Sequence, residues 1–473
     1  MSIYAKKGTL SFPFLQLTSK SAPTAGFLSP EGGAAVTIRA DGSDKNKVLI
    51  TSILFCGLSH ILYLKQYVKG ILFALIEVIA IINIPKFVKA LHGLITLGSP
   101  QPDVSIKLRD NSIFMLIDGV MALAVIFVFI AIYVISVKSA LKEYKKFCDN
   151  KVFTSNRHTF SELTGKSFSL FALAPTVIMI LFFVLVPLVF SALVAFTNYS
   201  APDHIPPKNT VDWVGFQNFI DMFSGKTAWT SAFGKVALWT LAWGFLATFT
   251  CYFGGMLMAV VLHESKIKLK PVFRSIFILP YAVPSVISML VWRNLMNGSF
   301  GTVNRTLIHL GIIKDVIPWL SDPWLAKFTC VLVNLWAGFP YFMLLVTGSM
   351  TAISRDIYEA AVVDGASKFQ VFKSITLPLV IYQTTPLIIM SISHNINNFG
   401  AIFFVTGGGP TLADSTTTGA AGTDLLITWI YKLTINLLQY HYASVLAVLI
   451  FMVLAPFAIY NFRRTRAFKE GVE

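Results

Sequence analysis

Residues 359–378 read EAAVVDGASKFQVFKSITLP, a small, alanine-rich, glycine-broken segment set between two strongly apolar runs. Ser354, Arg355 and Asp356 ahead of it supply a polar helix start, so residues 357–363 are expected to form a short helix. Gly365 and Ser367 favour a break, after which Phe369, Phe372 and Ile375 recur at helical spacing before Pro378. The expectation is two short helices turning at the glycine. Ala360 and Ala361 lack bulk, which lets another surface approach the backbone, and Glu359 adds one charge for pairing. Such a loop suits a socket contact, although an ordinary helix connection would have similar local physics.

Composition decides what surrounds the loop. Of 473 residues, 55% are hydrophobic and 13% charged, too apolar for a soluble chain of this length. The chain is read as an all-α integral membrane protein. Its 38 basic residues against 23 acidic ones could suggest nucleic acid, but they cluster beside apolar runs, where membrane topology explains them better. Cys56, Cys148, Cys251 and Cys330 show no CxxC spacing and read as packing residues.

Runs of about 20 apolar residues occur near residues 69–95, 113–137, 168–197, 234–262, 273–296, 326–352, 380–405 and 443–462. A shorter run, 48–64, reads as one interfacial or re-entrant helix. The loops at 138–166 and 266–274 and the tail with Arg463, Arg464, Arg466 and Lys469 are basic, whereas 198–233, 297–325 and 406–442 have few bases and several aspartates. Basic loops stay in the cytoplasm, so eight crossings put both termini and the 359–378 loop there. The tail 1–47 is rich in Ser, Gly, Pro and Ala, shows no cleavable signal peptide, and is expected to be loosely packed. The expected division is that tail, an accessory membrane region 48–166, a six-helix core 167–466 with the loop at 353–379, and a C-terminal tail 467–473.

No engine for chemistry is legible. Gly165-Lys166-Ser167 and Gly225-Lys226-Thr227 lack the earlier glycine of a phosphate-binding loop, and neither HExxH nor GxSxG occurs. No catalytic or metal residue is expected. Polar side chains inside spans are costly and become functional candidates by default. Ser391, His394, Asn395 and Asn398 follow helical steps of three and four and form one polar stripe; Asn334, Gly338 and Tyr341 share a face one span earlier. Interhelical hydrogen bonding explains any one of them. Together, neutral and without a carboxylate, they suit a hydroxyl-rich solute. A membrane-embedded glycan-processing enzyme would need a carboxylate pair, and Glu77 and Asp118 lie outside the core; an ion-driven carrier would favour a charged relay.

Glu359, Ala360, Ala361, Gly365, Ile375, Leu377 and Pro378 reproduce at full spacing the EAA signature, so the chain resembles the inner-membrane permease subunits of bacterial ABC importers. In addition, Asn395-Ile396-Asn397-Asn398-Phe399, Gly407-Gly408-Gly409-Pro410, Gly422-Thr423-Asp424-Leu425-Leu426, Leu279-Pro280-Tyr281-Ala282-Val283-Pro284 and Ser299-Phe300-Gly301 resemble the larger permease of the maltose/maltodextrin branch over about residues 168–466. The resemblance implies that Glu359, Ala360, Ala361 and Gly365 dock into an ATPase subunit, and that Asn334, Gly338, Tyr341, Ser391, Asn395 and Asn398 surround the sugar, with His394 on the same stripe. It further implies a second homologous permease, an ATPase dimer that binds ATP with Mg, an extracellular solute-binding protein, a bacterial inner-membrane location, and no cofactor bound to this chain directly. His394 stands where that branch has an aromatic residue and Ala337 where it has leucine, and the loop 198–233 is too short for a large extracellular domain.

Overall fold

The computed structural model describes residues 38–39, 42–101, 103–105, 108–150, 168–264, 268–413 and 415–464. Most of the two tails, much of the basic loop before residue 168, and Lys266 and Asp414 lie outside them. The described residues are helical, with only isolated bridges at Thr197–Trp213 and Thr411–Ala421. Seven helices are long and apolar enough to cross a membrane, and a bent pair raises this to eight.

By contacts the chain divides into two compact units, one drawn from residues 1–77 and 133–161 and the other from 78–132 and 162–473. The division does not follow the expected boundary at 166, because residues 78–132 group with the core. In the first unit the run 48–64 is two short helices, α1 (Lys45–Leu54) and α2 (Leu58–Leu62), not the single helix expected. Gly57 between them has φ +85°, and a side chain there would strike the Gly70 carbonyl, which is why the chain breaks at this point. The helices α3 (Tyr67–Thr96) and α4 (Ser112–Asn150) form the first two apolar crossings and contribute to both units. Glu77 accepts from the Cys56 backbone N–H at 2.9 Å, a structural use of a carboxylate that stood out in the sequence.

The second unit is organised by α8 (Ala228–Glu264), after α5 (Phe168–Ile180), α6 (Val186–Val194) and the short α7 (Gln217–Phe223). Lipid offers apolar surface as freely as another helix does, so small residues that let backbones approach determine packing here. A Cβ on Gly255 would lie 2.6 Å from the Met343 nitrogen and 2.7 Å from the Phe339 oxygen, and one on Gly244 would lie 2.7 Å from Ile396. Through these gaps α8 receives α12 (Pro323–Thr351), reached after α9 (Lys270–Ala282), α10 (Ser285–Leu295) and α11 (Thr302–His309), and then α15 (Leu377–Ile396), reached after α13 (Arg355–Val363) and α14 (Lys368–Val371).

Contacts fix the directions. Lys327 meets Trp239, Asn334 meets Cys251, and Met343 lies against Gly255, so α12 runs parallel to α8. Thr384 bonds Tyr252 and Asn395 bonds Thr248, so α15 runs antiparallel. Because α8 ends on the side of the 359–378 loop and α12 begins on the other, the chain between them must cross. The expected straight span 273–296 is in fact α9 and α10, bent by 90°; Pro284 lies at the bend and caps α10. This broken pair is the eighth crossing.

Candidate functional site

Two regions carry the expected site residues. At the loop, Ser354 caps α13 by accepting from the Asp356 N–H, as its position suggested. Gly365 has φ +74°, and its N–H donates to the Val362 carbonyl at 3.0 Å, closing the turn. Ser367 and Gln370 then form a reciprocal cap on α14. The second helix is not a separate piece: α14 runs through a π turn, Phe372–Thr376, directly into α15, and Pro378 sits in that helix's first turn instead of ending anything.

Glu359, Ala360 and Gly365 are exposed, as a contact surface requires, whereas Ala361 is buried and its carbonyl accepts from Ala366 N–H at 3.0 Å. The two alanines therefore face different ways, because adjacent helical positions are about 100° apart. Tyr358 lies against the core cluster that includes Met350, Ile353 and Val380, and its hydroxyl is 3.3 Å from Thr376. The loop thus rests on the start of α15. The outward apolar residues are Val362, Val363 and Phe369, at 69%, 86% and 70% exposure. The fixed positions of the motif did not point to them; hydrophobic residues at the loop's crest were the available signal.

The polar stripe divides in two. Asn334 is buried against α8, donating to Ala247 O at 3.5 Å and Cys251 Sγ at 3.4 Å, and a Cβ on Gly338 would lie 2.7 Å from that sulfur. Asn395 is buried as well, donating to Thr248 Oγ1 at 2.9 Å while its carbonyl accepts from the Trp243 indole at 3.1 Å. Gly338 here brings helices together and does not open room. Tyr341 is accessible, with its ring 6.3 Å from Tyr281; His394 is exposed and Ser391 half-buried.

Asn398 departs from the stripe. Helix α15 stops at Ile396, Asn397 is exposed, and Asn398 caps α16 (Phe399–Thr406) by accepting from Ala401 N–H at 3.2 Å. The expected continuous span 380–405 is therefore broken. Asn395 and Ile396 meet Thr248 and Gly244, near the midpoint of α8, so the break lies at mid-depth in the membrane. Irregular backbone at that depth is tolerated where it is packed in protein or lines a water-filled cavity.

Beyond α16 the chain folds into a buried polar knot before α17 (Ser415–Thr418) and α18 (Leu426–Tyr431). Asp424 accepts from Lys432 Nζ at 2.6 Å, Ala421 N–H at 2.8 Å and Thr428 Oγ1 at 2.9 Å. Burial pushes its carboxyl above the usual range, and the Lys432 charge and these hydrogen bonds pull against that. The last crossing is α19 (Tyr440–Arg464).

Comparison with known proteins agrees with this arrangement. The profile of the binding-protein-dependent transport system inner membrane component family matches residues 251–465. The galactooligosaccharides transport system permease protein GanP of Bacillus subtilis (strain 168) is 35% identical over 86% of this chain and 95% of its own length. The maltodextrin transport system permease protein MdxF of the same organism is 35% identical over 85% and 92%, respectively. A maltose/maltodextrin transport system permease protein, MalF of Klebsiella aerogenes, is 43% identical, but over 45% of this chain and 41% of itself. A solved bacterial ABC transporter involved in the import of the acidic polysaccharide alginate shares the fold, with TM-score 0.52 and 21% identity over 65% of this chain and all of that one. The chain belongs to the family of inner-membrane components of binding-protein-dependent transport systems.

Proposed function

We propose that the chain is one of two membrane subunits of an ATP-driven importer of neutral oligosaccharides, of the maltodextrin class, and that it has no chemistry of its own. The observation that carries this reading is the interrupted helix at mid-depth, where α15 ends and α16 begins around Asn397 and Asn398. A broken helix there frees backbone groups and amide side chains for a hydroxyl-rich solute, the arrangement that transporters use for midplane binding. Tyr341, Ser391, His394 and Asn398 would contact sugar, with Asn334, Gly338 and Asn395 positioning the helices behind them. Glu359, Ala360 and Gly365, with the apolar crest Val362, Val363 and Phe369, would dock an ATPase subunit, to which ATP and Mg bind. Ala361 would hold that helix to the core. The loop and both termini would be cytoplasmic, the basic segments following the positive-inside rule.

Coupling requires the two membrane states to bind the ATPase differently, since equal binding shifts no equilibrium. The test is reconstitution with the co-expressed second permease, ATPase and sugar-binding protein. ATP-dependent maltodextrin uptake, with the ATPase lost from Glu359→Lys, is expected. Recovery of the chain alone, with uptake indifferent to that substitution, would overturn the reading. A galactooligosaccharide is the second candidate substrate, favoured by the similarity to GanP and by His394 in place of an aromatic stacking surface. Competition between the two sugars for uptake decides it.

A further inference from the structure

A cavity opens between the first turns of α8 and α12, at the membrane face opposite the coupling loop, and Lys235, Trp239, Lys327, Leu412, Gly422 and Asp424 are among its walls. Its volume is about 90 Å³, room for a side-chain carboxylate with its waters. The Lys327 ammonium is held over two indoles, 4.8 Å from the Trp239 ring and 5.0 Å from the Trp324 ring. Cation–π contact orients a lysine without neutralising it. Among the described residues Lys327 has no carboxylate partner; the acid in the wall, Asp424, is already saturated by Lys432, Ala421 and Thr428. The cavity is therefore complementary to an anion.

Its orientation argues against the bilayer as the source of that anion. At the depth of the cavity the strongly exposed apolar residues of α8 are Leu238 and Leu241, whereas Trp239 in the wall is turned about 100° or more from both and is only 8% exposed. Leu412 and Gly422, from the segment after α16, complete its lining.

We propose that this cavity receives an aspartate or glutamate side chain of the extracellular sugar-binding protein, with Lys327 as its counter-charge. The proposal rests on the importer reading above. A charge held by aromatic rings at a docking face contributes to partner choice and association rate, and its effect falls with salt. The experiment uses the assembled transporter in nanodiscs of phosphatidylcholine alone, with affinity for its binding protein measured by biolayer interferometry at low and high salt. Lys327→Gln should weaken binding about tenfold at low salt, with Lys327→Arg retaining it and the difference shrinking at high salt. Equal affinity of wild type and Lys327→Gln would overturn the proposal while leaving the importer reading intact, because wild-type binding is itself the control. No binding by the wild type would overturn both. If the substitution matters only after phosphatidylglycerol is added, the anion is a lipid headgroup and the proposal fails.

Discussion

Asp424 and Lys432 meet at 2.6 Å, the aspartate side chain wholly buried and the lysine 15% exposed. Gly408, at φ +83°, is pressed against both, so that any Cβ there would overlap the Asp424 carboxylate. Removing one member of a buried pair leaves an uncompensated charge. Asp424→Asn should destabilise the purified complex by about 3 kcal/mol, and Gly408→Ala should act in the same direction through both strain and overlap. Thermal unfolding in detergent checks each; an Asp424→Asn melting curve matching wild type would show the pair to be dispensable.

At the coupling loop, Gly365→Pro removes the N–H that closes the turn and cannot adopt φ +74°. ATPase co-purification should be lost with membrane insertion unchanged. Val363→Asp tests the exposed crest separately, since it puts charge on an apolar contact while leaving the turn intact. An ATPase that still binds the Val363→Asp protein at wild-type levels would confine docking to the motif's fixed positions.

The two halves of the polar stripe should respond differently. Asn395→Leu breaks a buried bond to Thr248 and should cost about 1–2 kcal/mol, an effect that Thr248→Val reproduces. His394→Ala touches no such bond and should leave stability alone while changing sugar uptake. Unfolding and uptake measured on the same preparations separate the cases; a His394→Ala protein with unaltered transport would remove that residue from the sugar path.

His60 supplies a pH dependence. It is fully buried, one ring nitrogen lies 3.3 Å from Ser139 Oγ, and the other has no hydrogen-bond partner. Burial, helped by the Lys69 charge, lowers its pKa to about 4 from an ordinary 6.5. The unfolded chain therefore binds the proton more readily across that window, so stability is complete above about 6.5 and falls as the medium is acidified toward 4, by about 3 kcal/mol at most. Hydrogen exchange over Lys45–Leu54 and Leu58–Leu62 should accelerate at pH 5 in wild type and much less in His60→Leu. Equal acceleration in both would assign the acid sensitivity elsewhere.

Much of this architecture was legible from amino-acid order. Long apolar runs bounded by charge located every crossing, and Ser354, Gly365 and Ser367 announced the helix ends because capping and left-handed turns depend on local chemistry. The breaks were not legible. The bend beside Pro284 and the interruption at Asn397 fall inside runs whose hydropathy is that of an unbroken helix, and hydropathy records depth and not direction. The stripe from Ser391 to Asn398 assumed a helix that stops at Ile396. That Asn334 and Asn395 turn toward α8 depended on which neighbour came close, a matter of glycine placement on a different segment. The exposure of Val362, Val363 and Phe369 was not legible either, because an apolar crest follows from the turn beneath it.

The length of α8 has a mechanical meaning. Its 37 residues, at about 1.5 Å each, extend roughly 55 Å across a hydrocarbon layer of about 30 Å. With α12 and α15 seated on its glycines and threonines, a rigid tilt of about 10° about its midpoint would displace each tip by about 5 Å, from that length. One half of α8 carries the cavity lined by Ala232, Lys235 and Trp239, and the end of the other packs Leu262 into the cluster that supports Tyr358. A small rotation about the membrane's middle would thereby be felt at both surfaces at once.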